Sequence, residues 1–262
     1  MCGAEKGAIS MRRFMIIVGA AMGLIFPFPW GSVAAEGQGK STQTSASQPK
    51  SDPITKSILY VPPRKGAPAA GLRRGGGTRG TNKSLPMISL LAPDHIGFTL
   101  QEQPVLFWFT PTNHNLSYEF TLIADNADAP LIDAKLASPA RGGVQQIRLA
   151  DYKAKLVPGV RYLWSVALVM DPDEPSANVV AKGSIERVNR DKLEQPLSGD
   201  MTKADAPRRY AEAGVWYDAL IAISELIQAN PADTDLTQQQ TALLEQGGLA
   251  EVASSIQHMR KP

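Results

Sequence analysis

The glycine-rich stretch from Arg73 to Gly80, RRGGGTRG, is the first place where the residue types could bind a ligand. A phosphate-binding loop reads G-x-x-x-x-G-K-[ST], and it requires a strand before it and a helix after it. From Gly77 this chain reads G-T-R-G-T-N-K-S, so Asn82 stands where the second glycine is needed. Pro86 follows where the helix would run. The stretch therefore predicts a solvated basic segment and not a phosphate site.

Carboxylates offer the second possible chemistry. Asp94, Glu102 and Glu119 could act as general acid and base if folding brought them together, which would make the protein a hydrolase acting on an envelope polymer. The three histidines lack the spacing of metal ligands, and no G-x-S-x-G motif is present. The sequence thus predicts no catalytic residue with a defined role, no cofactor and no metal site.

The N-terminus predicts export. Arg12 and Arg13 precede the uncharged run FMIIVGAAMGLIFPFPW, and Val33 and Ala35 have the spacing that signal peptidase accepts. Residues 1–35 are therefore interpreted as a signal peptide, with Met1 or Met11 as the start. Cys2 is the single cysteine, so the mature chain would carry no disulfide and no transmembrane span. The expected location is the periplasm or the extracellular space.

Charge divides the rest of the chain. Residues 36–90 contain nine Lys and Arg against two Asp and Glu, whereas residues 91–262 contain 15 against 22. Residues 36–87 are rich in Gly, Pro and Ser and predict a disordered basic arm. Its candidate cations for an anionic partner are Arg64, Lys65, Arg73, Arg74, Arg79 and Lys83. A plain linker and, in a protein that is not exported, a nucleic-acid binder are the alternatives.

Residues 88–190 predict a β-sandwich. LSYEFTLIAD and VRYLWSVALVM alternate apolar and polar residues, as strands with one buried face do. Five further short runs, separated by Pro, Gly, Asn and Asp, bring the count to about seven strands. These runs are HIGFTL, PVLFWFTP, PLIDAKL, GVQQIRLA and NVVAKGSIERV.

One motif indicates the type of sandwich. LVPGVRYLW places Leu156 and Tyr162 in the pattern L-x-P-G-x-x-Y, which resembles the tyrosine corner of immunoglobulin-like and fibronectin type III domains. Trp108 in FWFTP resembles the tryptophan strand of such domains. We therefore expect structural roles for Trp108, Leu156, Tyr162 and Trp164 within the sandwich, and for Trp216 in the tail.

Residues 205–258 predict a short helical unit packed on the sandwich. DAPRRYAEAGVWYDALIAISELIQANP has apolar residues at helical spacing, with Asp205 as the expected cap, and Pro231 follows its end. DLTQQQTALLEQGG and LAEVASSIQHM predict a second and a third helix. The fold class is therefore mainly β with α.

The order of these motifs resembles the domain of unknown function 928 family, whose members are exported proteins found mostly in cyanobacteria. The resemblance runs from about Gly75 to Ala253 and rests on GGGTRG, LLAPDHIGFTLQEQPVLFWFTP, L-x-P-G-x-x-Y-x-W, IERV and YAEAGVWYDAL. Members often carry a cysteine near Met170 and Gly-Trp-Ile where Ser184 stands here. The resemblance implies architecture and compartment but no activity.

Together these features favour an exported, non-enzymatic interaction protein of the cell envelope. Its expected partner is an envelope protein or an anionic envelope surface, with nucleic acid disfavoured by export. The sequence leaves the oligomeric state open.

Processing gives the first test. The mature protein should begin near Glu36, because Val33 and Ala35 follow the apolar core of the signal. N-terminal sequencing of the protein recovered outside the cytoplasm measures this directly. A cytosolic protein with an intact Met1 or Met11 would contradict export.

Overall fold

A computed structural model describes the chain at residues 57–64, 74–75 and 87–260. These residues all belong to one unit, Asp52–Pro262. The predicted signal peptide and most of the predicted basic arm lie outside the described residues.

Nine strands form two sheets in the described part of the chain. The strands are β1 (Arg74–Gly75), β2 (Ile88–Leu90), β3 (Gly97–Thr99), β4 (Val105–Thr110), β5 (Ser117–Ala124), β6 (Ile132–Leu136), β7 (Gly143–Arg148), β8 (Arg161–Val169) and β9 (Val179–Arg187). One sheet has the order β1-β2-β4-β7 and the other β3-β9-β8-β5-β6. All neighbouring strands are antiparallel except β3 and β9, which are parallel. The predicted strands are confirmed.

Alternation explains the centre of the larger sheet. Along β8, Tyr162, Trp164, Val166 and Leu168 are buried, whereas the residues between them are partly exposed. β5 alternates in the same way, and its Leu122 lies opposite Trp164. Because side chains alternate across a strand, both strands present one continuous apolar face to the interior.

The two sheets lie close together at Gly183 in β9. A Cβ atom at this position would lie 2.9 Å from Cβ of Ala92, which follows β2. It would also lie 3.4 Å from Cδ1 of Leu90, the last residue of β2. Real Cβ atoms do not come so near, so glycine is what lets these layers share a core.

β4 is buried on both faces, which makes the fold three-layered. Trp108 packs on Tyr118 of the other sheet, with ring centroids 4.9 Å apart. Phe107 and Phe109 alternate with it and are also buried. Phe109 lies beside Ile256 of the last helix. The continuous apolar run VLFWF is typical of a strand covered on both sides.

Four helices follow the strands: α1 (Ala206–Glu212), α2 (Trp216–Ala229), α3 (Thr234–Gln246) and α4 (Ala250–Arg260). Short 3₁₀ turns occupy Leu149–Tyr152, Pro175–Ala177 and Arg190–Lys192. Among the described residues, no helix has the length and apolarity needed to span a bilayer.

The single long helix predicted from Pro207 to Asn230 is wrong in one respect, because Gly214 interrupts it. Gly214 has φ +75°, and the amide of Val215 donates to the carbonyl of Tyr210 at 2.9 Å. This is the Schellman arrangement that ends a helix at a left-handed residue. The apolar period continues through the break, which is why the pattern alone did not reveal it.

The predicted cap at Asp205 is also wrong. Its carboxylate accepts a hydrogen bond from Oγ1 of Thr202 at 2.7 Å and makes no capping bond to α1. Asp233 caps α3 instead, where Oδ1 accepts from the amides of Asp235 and Leu236 at 2.9 and 3.3 Å. A capping residue typically has an extended backbone, as Asp233 does, whereas Asp205 already has helical dihedrals.

Residues 57–64, which we call the strap, correct the predicted arm. Ile58 and Tyr60 are 2 % and 4 % exposed, against the helical unit. The side chain of Gln246 accepts from the Tyr60 amide at 2.8 Å and donates to the Ile58 carbonyl at 3.1 Å. The amide of Val61 donates to the carbonyl of Ala211. The prediction of disorder over residues 36–87 therefore fails for the strap, and also for β1, which pairs with β2.

Tyr162 makes the contact that the L-x-P-G-x-x-Y motif predicts. Its hydroxyl accepts a hydrogen bond from the amide of Val157, five residues upstream, at 3.1 Å. Leu156 is buried beside it, and its carbonyl accepts from the Arg187 guanidinium at 3.0 Å. The turn before β8 is thus held both by the start of that strand and by the end of β9.

Replacing Tyr162 with Phe should lower the free energy of unfolding by about 1 kcal/mol, because one hydrogen bond to the backbone is lost while the ring remains. A denaturant melt measures the change. Tyr152→Phe is the matched control, since its ring packs on Phe120. Equal stabilities for Tyr162→Phe and the wild type would remove the proposed role of the hydroxyl.

Candidate functional site

A buried hydrogen-bond network lies between the helical unit and the sandwich. Nε1 of Trp164 in β8 donates to the hydroxyl of Tyr217 in α2 at 2.9 Å, and that hydroxyl donates to the carbonyl of Ser184 in β9 at 3.0 Å. All three residues are buried. Burial raises the pKa of the Tyr217 hydroxyl well above its ordinary value, so it stays a neutral donor. These bonds satisfy each polar atom and join the layers.

Trp216 makes the neighbouring connection. Its Nε1 donates to the carbonyl of Leu91 at 2.9 Å, and its six-membered ring fills the space that a side chain at Gly247 would occupy. Tyr60 of the strap packs edge-on against the same indole, with centroids 5.0 Å apart. Trp216 therefore connects α2 to the segment after β2, to α3 and to the strap.

Asp218 is the buried ionisable group that sequence reasoning missed. Its Oδ2 accepts from Oγ1 of Thr99 at 2.7 Å and from the amide of Leu100 at 3.0 Å. Burial is the dominant effect and raises the pKa of this carboxyl, although the hydrogen bonds act in the opposite direction. The group ties α2 to the end of β3. Its only sequence signal was an aspartate within the apolar first half of this helix, WYDALIAI.

A hydroxyl, an imidazole and a carboxylate lie in line at the strap. The Tyr60 hydroxyl is 2.6 Å from Nε2 of His95, and Nδ1 of His95 is 3.0 Å from Oδ1 of Asp94. If Nδ1 carries the proton, Nε2 accepts from the phenol. Catalytic triads use this order of groups. Here, however, burial strongly raises the pKa of the phenol, and the ring stacks on His95. The arrangement fixes the strap to the loop after β2.

The three carboxylates of the hydrolase hypothesis have different partners. Asp94 bonds to His95, and Glu102 forms an ion pair with Lys155 at 3.0 Å. Glu119 lies on β5 opposite Lys135 of β6. Among the described residues, none of these three carboxylates is hydrogen-bonded to another.

One surface cleft, of about 630 Å³, lies beside the strap. Its cations are Arg64 and Lys192, and its acids are Glu186, Glu194 and Glu212. The Arg64 side chain is 91 % exposed and lies 3.7 Å from Glu194, while Glu212 pairs with Arg208 at 2.7 Å. Charges of both signs thus already meet within this cleft.

A second opening, of about 570 Å³, lies between β7 and α4, and we call it the β7 groove. Arg141 and Arg260 supply its charge, and none of the described residues that line it is Asp or Glu. Ile256 and Met259 supply apolar surface, and the Met259 residue is 48 % exposed. The Arg260 guanidinium also donates to Oε1 of Gln240 at 3.0 Å, which holds it in place. Such a lining can recognise an anion that carries an apolar part.

The profile of the family described as Domain of Unknown Function (DUF928) matches residues 74–256 of this 262-residue chain. The chain belongs to the DUF928 family. No curated protein matches the sequence. The DUF928 match includes both sheets, Tyr217 and Asp218, whereas the strap precedes it and Met259 and Arg260 follow it. The resemblance inferred from Gly75 to Ala253 is therefore confirmed.

The basic residues proposed for an anionic partner are only partly visible in this DUF928 chain. Arg64 lies in the strap, and Arg74 is in β1, where its backbone pairs with Ser89. Lys65, Arg73, Arg79 and Lys83 lie outside the described residues. Sequence reasoning missed Arg141 and Arg260, because they are separated by more than a hundred residues and only the packing of α4 brings them to one groove.

Asp218 predicts a pH effect on stability. A carboxyl group whose pKa is raised by folding stabilises the fold most below its unfolded value of about 3.9, and that contribution is lost as the pH rises through the folded value. Asp218→Asn removes the titration, so its stability relative to the wild type should increase as the pH is raised from 4 to 8.

Denaturant melts across this pH range measure the difference. Asp151→Asn, a change at an exposed position, serves as the control and should show no such trend. A stability difference between Asp218→Asn and the wild type that is independent of pH would contradict the burial argument.

Proposed function

We propose that this protein is an exported, non-enzymatic binding protein of the cell envelope whose partner is anionic. Its body is a sandwich of the immunoglobulin and fibronectin type III class carrying a helical unit. Its place is the periplasm or the extracellular space, after removal of residues 1–35. The family resemblance adds a cyanobacterial source to this proposal.

The strand order supports the assignment of the sandwich. With β2, β4 and β7 as strands A, B and E, and with β5, β6, β8 and β9 as C, C′, F and G, the two sheets follow the immunoglobulin-like connectivity. β3 then corresponds to a strand A′ running parallel to G. Tyr162 lies at the start of strand F, which is where a tyrosine corner belongs.

The observation that carries the binding function is the sign of the charge in the β7 groove. Residues 91–262 have 15 Lys and Arg against 22 Asp and Glu. Among the residues that the structure describes, the groove is nevertheless lined by two arginines and no acid. Cations gathered against the overall charge of a body give local attraction for an anion. Arginine and exposed apolar surface are also typical of recognition surfaces.

The basic arm adds a second attraction to the same kind of partner. Arg73, Arg74 and Arg79 stand among glycines, close to β1 in the sequence. Removing the whole of residues 40–83 would not test them, because that deletion also takes away Ile58 and Tyr60 from the core. Point substitutions are therefore the appropriate change.

Binding of the mature chain to envelope fractions and to anionic vesicles at two salt concentrations tests this function. Wild type should bind saturably and more weakly at the higher salt. Each cation near an anionic membrane contributes about 1 kcal/mol, so changing Arg73, Arg74 and Arg79 to Ser should weaken binding at least tenfold. Serine at the exposed Lys135, Lys182 and Lys203 is the control of equal charge change.

Absence of binding by the wild type would overturn the proposed function. Equal binding by the arm variant and the control would show that the arm is only a linker. Preference for single-stranded RNA over vesicles would favour the nucleic-acid alternative.

A further inference from the structure

β7 is the edge strand of its sheet, and its hydrogen-bonding pattern shows which backbone groups point away from the sheet. The amide of Leu149 donates to the carbonyl of Pro104, directly opposite, so this is a hydrogen-bonded pair of the antiparallel ladder. Such pairs recur every second residue. Gly143, Gln145 and Ile147 therefore face β4 with their backbone groups, whereas Val144, Gln146 and Arg148 turn theirs outward.

These outward groups have no backbone partner in the part of the chain that the structure describes. Gln146 and Arg148 are exposed, and Val144 is partly exposed. Three amides and three carbonyls, spaced two residues apart, are what an added strand pairs with. The six residues of β7 offer an edge of about 20 Å at the usual rise for a strand.

The edges at β6 and β3 are protected against the addition of a strand. On β6 the outward residues are Asp133 and Lys135, both exposed, and charges along an edge discourage strand addition. β3 is only three residues long, and Asp218 of α2 takes the amide of Leu100 just beyond it. β7 has neither protection along Val144 to Gln146, so its edge is more open to an added strand than the edges of β6 and β3.

The β7 groove lies at the N-terminal end of this edge. Gly142 and Gly143 are among the residues that line it. A side chain at Gly142 would collide with the backbone of Pro111, and Gly143 has φ +124°. Arg141 and Arg260 stand at the groove together with Met259. A strand added to β7 would therefore carry its side chains past two cations and an exposed thioether.

We propose that β7 accepts an extended acidic peptide segment as an additional strand, with its carboxylates at Arg141 and Arg260. Main-chain hydrogen bonds to Val144, Gln146 and Arg148 give the affinity, and the arginines select acidic residues at alternate positions. This inference rests on the proposed function and names the partner as an acidic protein segment in extended form.

The probe is a fluorescein-labelled nine-residue peptide of alternating valine and glutamate, titrated against the mature protein by fluorescence anisotropy. Gln146→Pro removes one outward amide without touching the ladder to β4, which an edge strand tolerates. We expect this variant to bind at least tenfold more weakly. Arg141→Ser should weaken binding severalfold and reduce its dependence on salt.

The matched control is Lys135→Pro, which removes the corresponding outward amide from the edge of β6 and should leave peptide affinity unchanged. Circular dichroism and a denaturant melt establish that both proline variants are folded. A peptide with lysine in place of glutamate should bind at least tenfold more weakly than the probe.

Backbone methylation identifies strand addition itself. Two further peptides carry N-methyl groups on alternate residues, one on the odd positions and the other on the even positions. Because only every second residue of an added strand pairs with β7, one peptide should lose binding and the other should retain it. Equal binding by both, or unchanged affinity of a folded Gln146→Pro, would overturn the inference.

The envelope assay separates the two proposals. If the mature chain binds the envelope but the acidic peptide does not bind to β7, the inference is overturned and the proposed function stands. If neither binds, both are overturned.

Discussion

The hydroxyl of Tyr217 lies where three parts of the molecule meet, and its two hydrogen bonds govern how they are arranged. It accepts from Trp164 and donates to Ser184, so α2 is fixed to two neighbouring strands of the larger sheet. Leaving a buried donor or acceptor unpaired costs about 1–3 kcal/mol, which makes this alignment strongly preferred over a shifted one. Once α2 is placed, Trp216 positions α3, and α3 with α4 closes over the outer face of β4. The position of Arg260 beside β7 therefore depends, through α3 and α4, on the alignment of α2.

The helical unit also determines which parts of the sheets are open to a partner. It covers Phe107 and Phe109, which would otherwise be an apolar patch on the smaller sheet, and α2 occupies the end of β3. It does not cover the outer edge of β7, which lies beside a groove whose charge is opposite to that of the body. Protection of one edge and exposure of another are therefore consequences of where the same four helices dock.

Local sequence patterns predicted the structural features that depend on residues close together in the chain. The alternation along β5 and β8, the Tyr162 contact and the α3 and α4 helices follow from side-chain spacing and turn chemistry, and the structure contains all of them. What the sequence could not show depends on distant partners. Nothing in the local sequence shows that Gly214 must be glycine. In the folded chain a side chain there would come within 2.9 Å of the Val61 carbonyl. The strap looked disordered because its few apolar residues are buried only by residues that come much later. The groove residues Arg141 and Arg260 share no local pattern at all.

The strap comes first in the described chain, but its contacts include residues near the end of that chain. Tyr60 pairs with Gln246 across 186 positions, and Ile58 pairs with the same side chain across 188. Closing contacts at such separation is slow, since chain entropy must be given up before they form. A chain shortened ahead of α3 would lack Gln246, so the amide of Tyr60 and the carbonyl of Ile58 would lose their side-chain partner. Tyr60 would keep its contacts with His95 and Trp216, so α3 completes the attachment of a strap that earlier residues already hold.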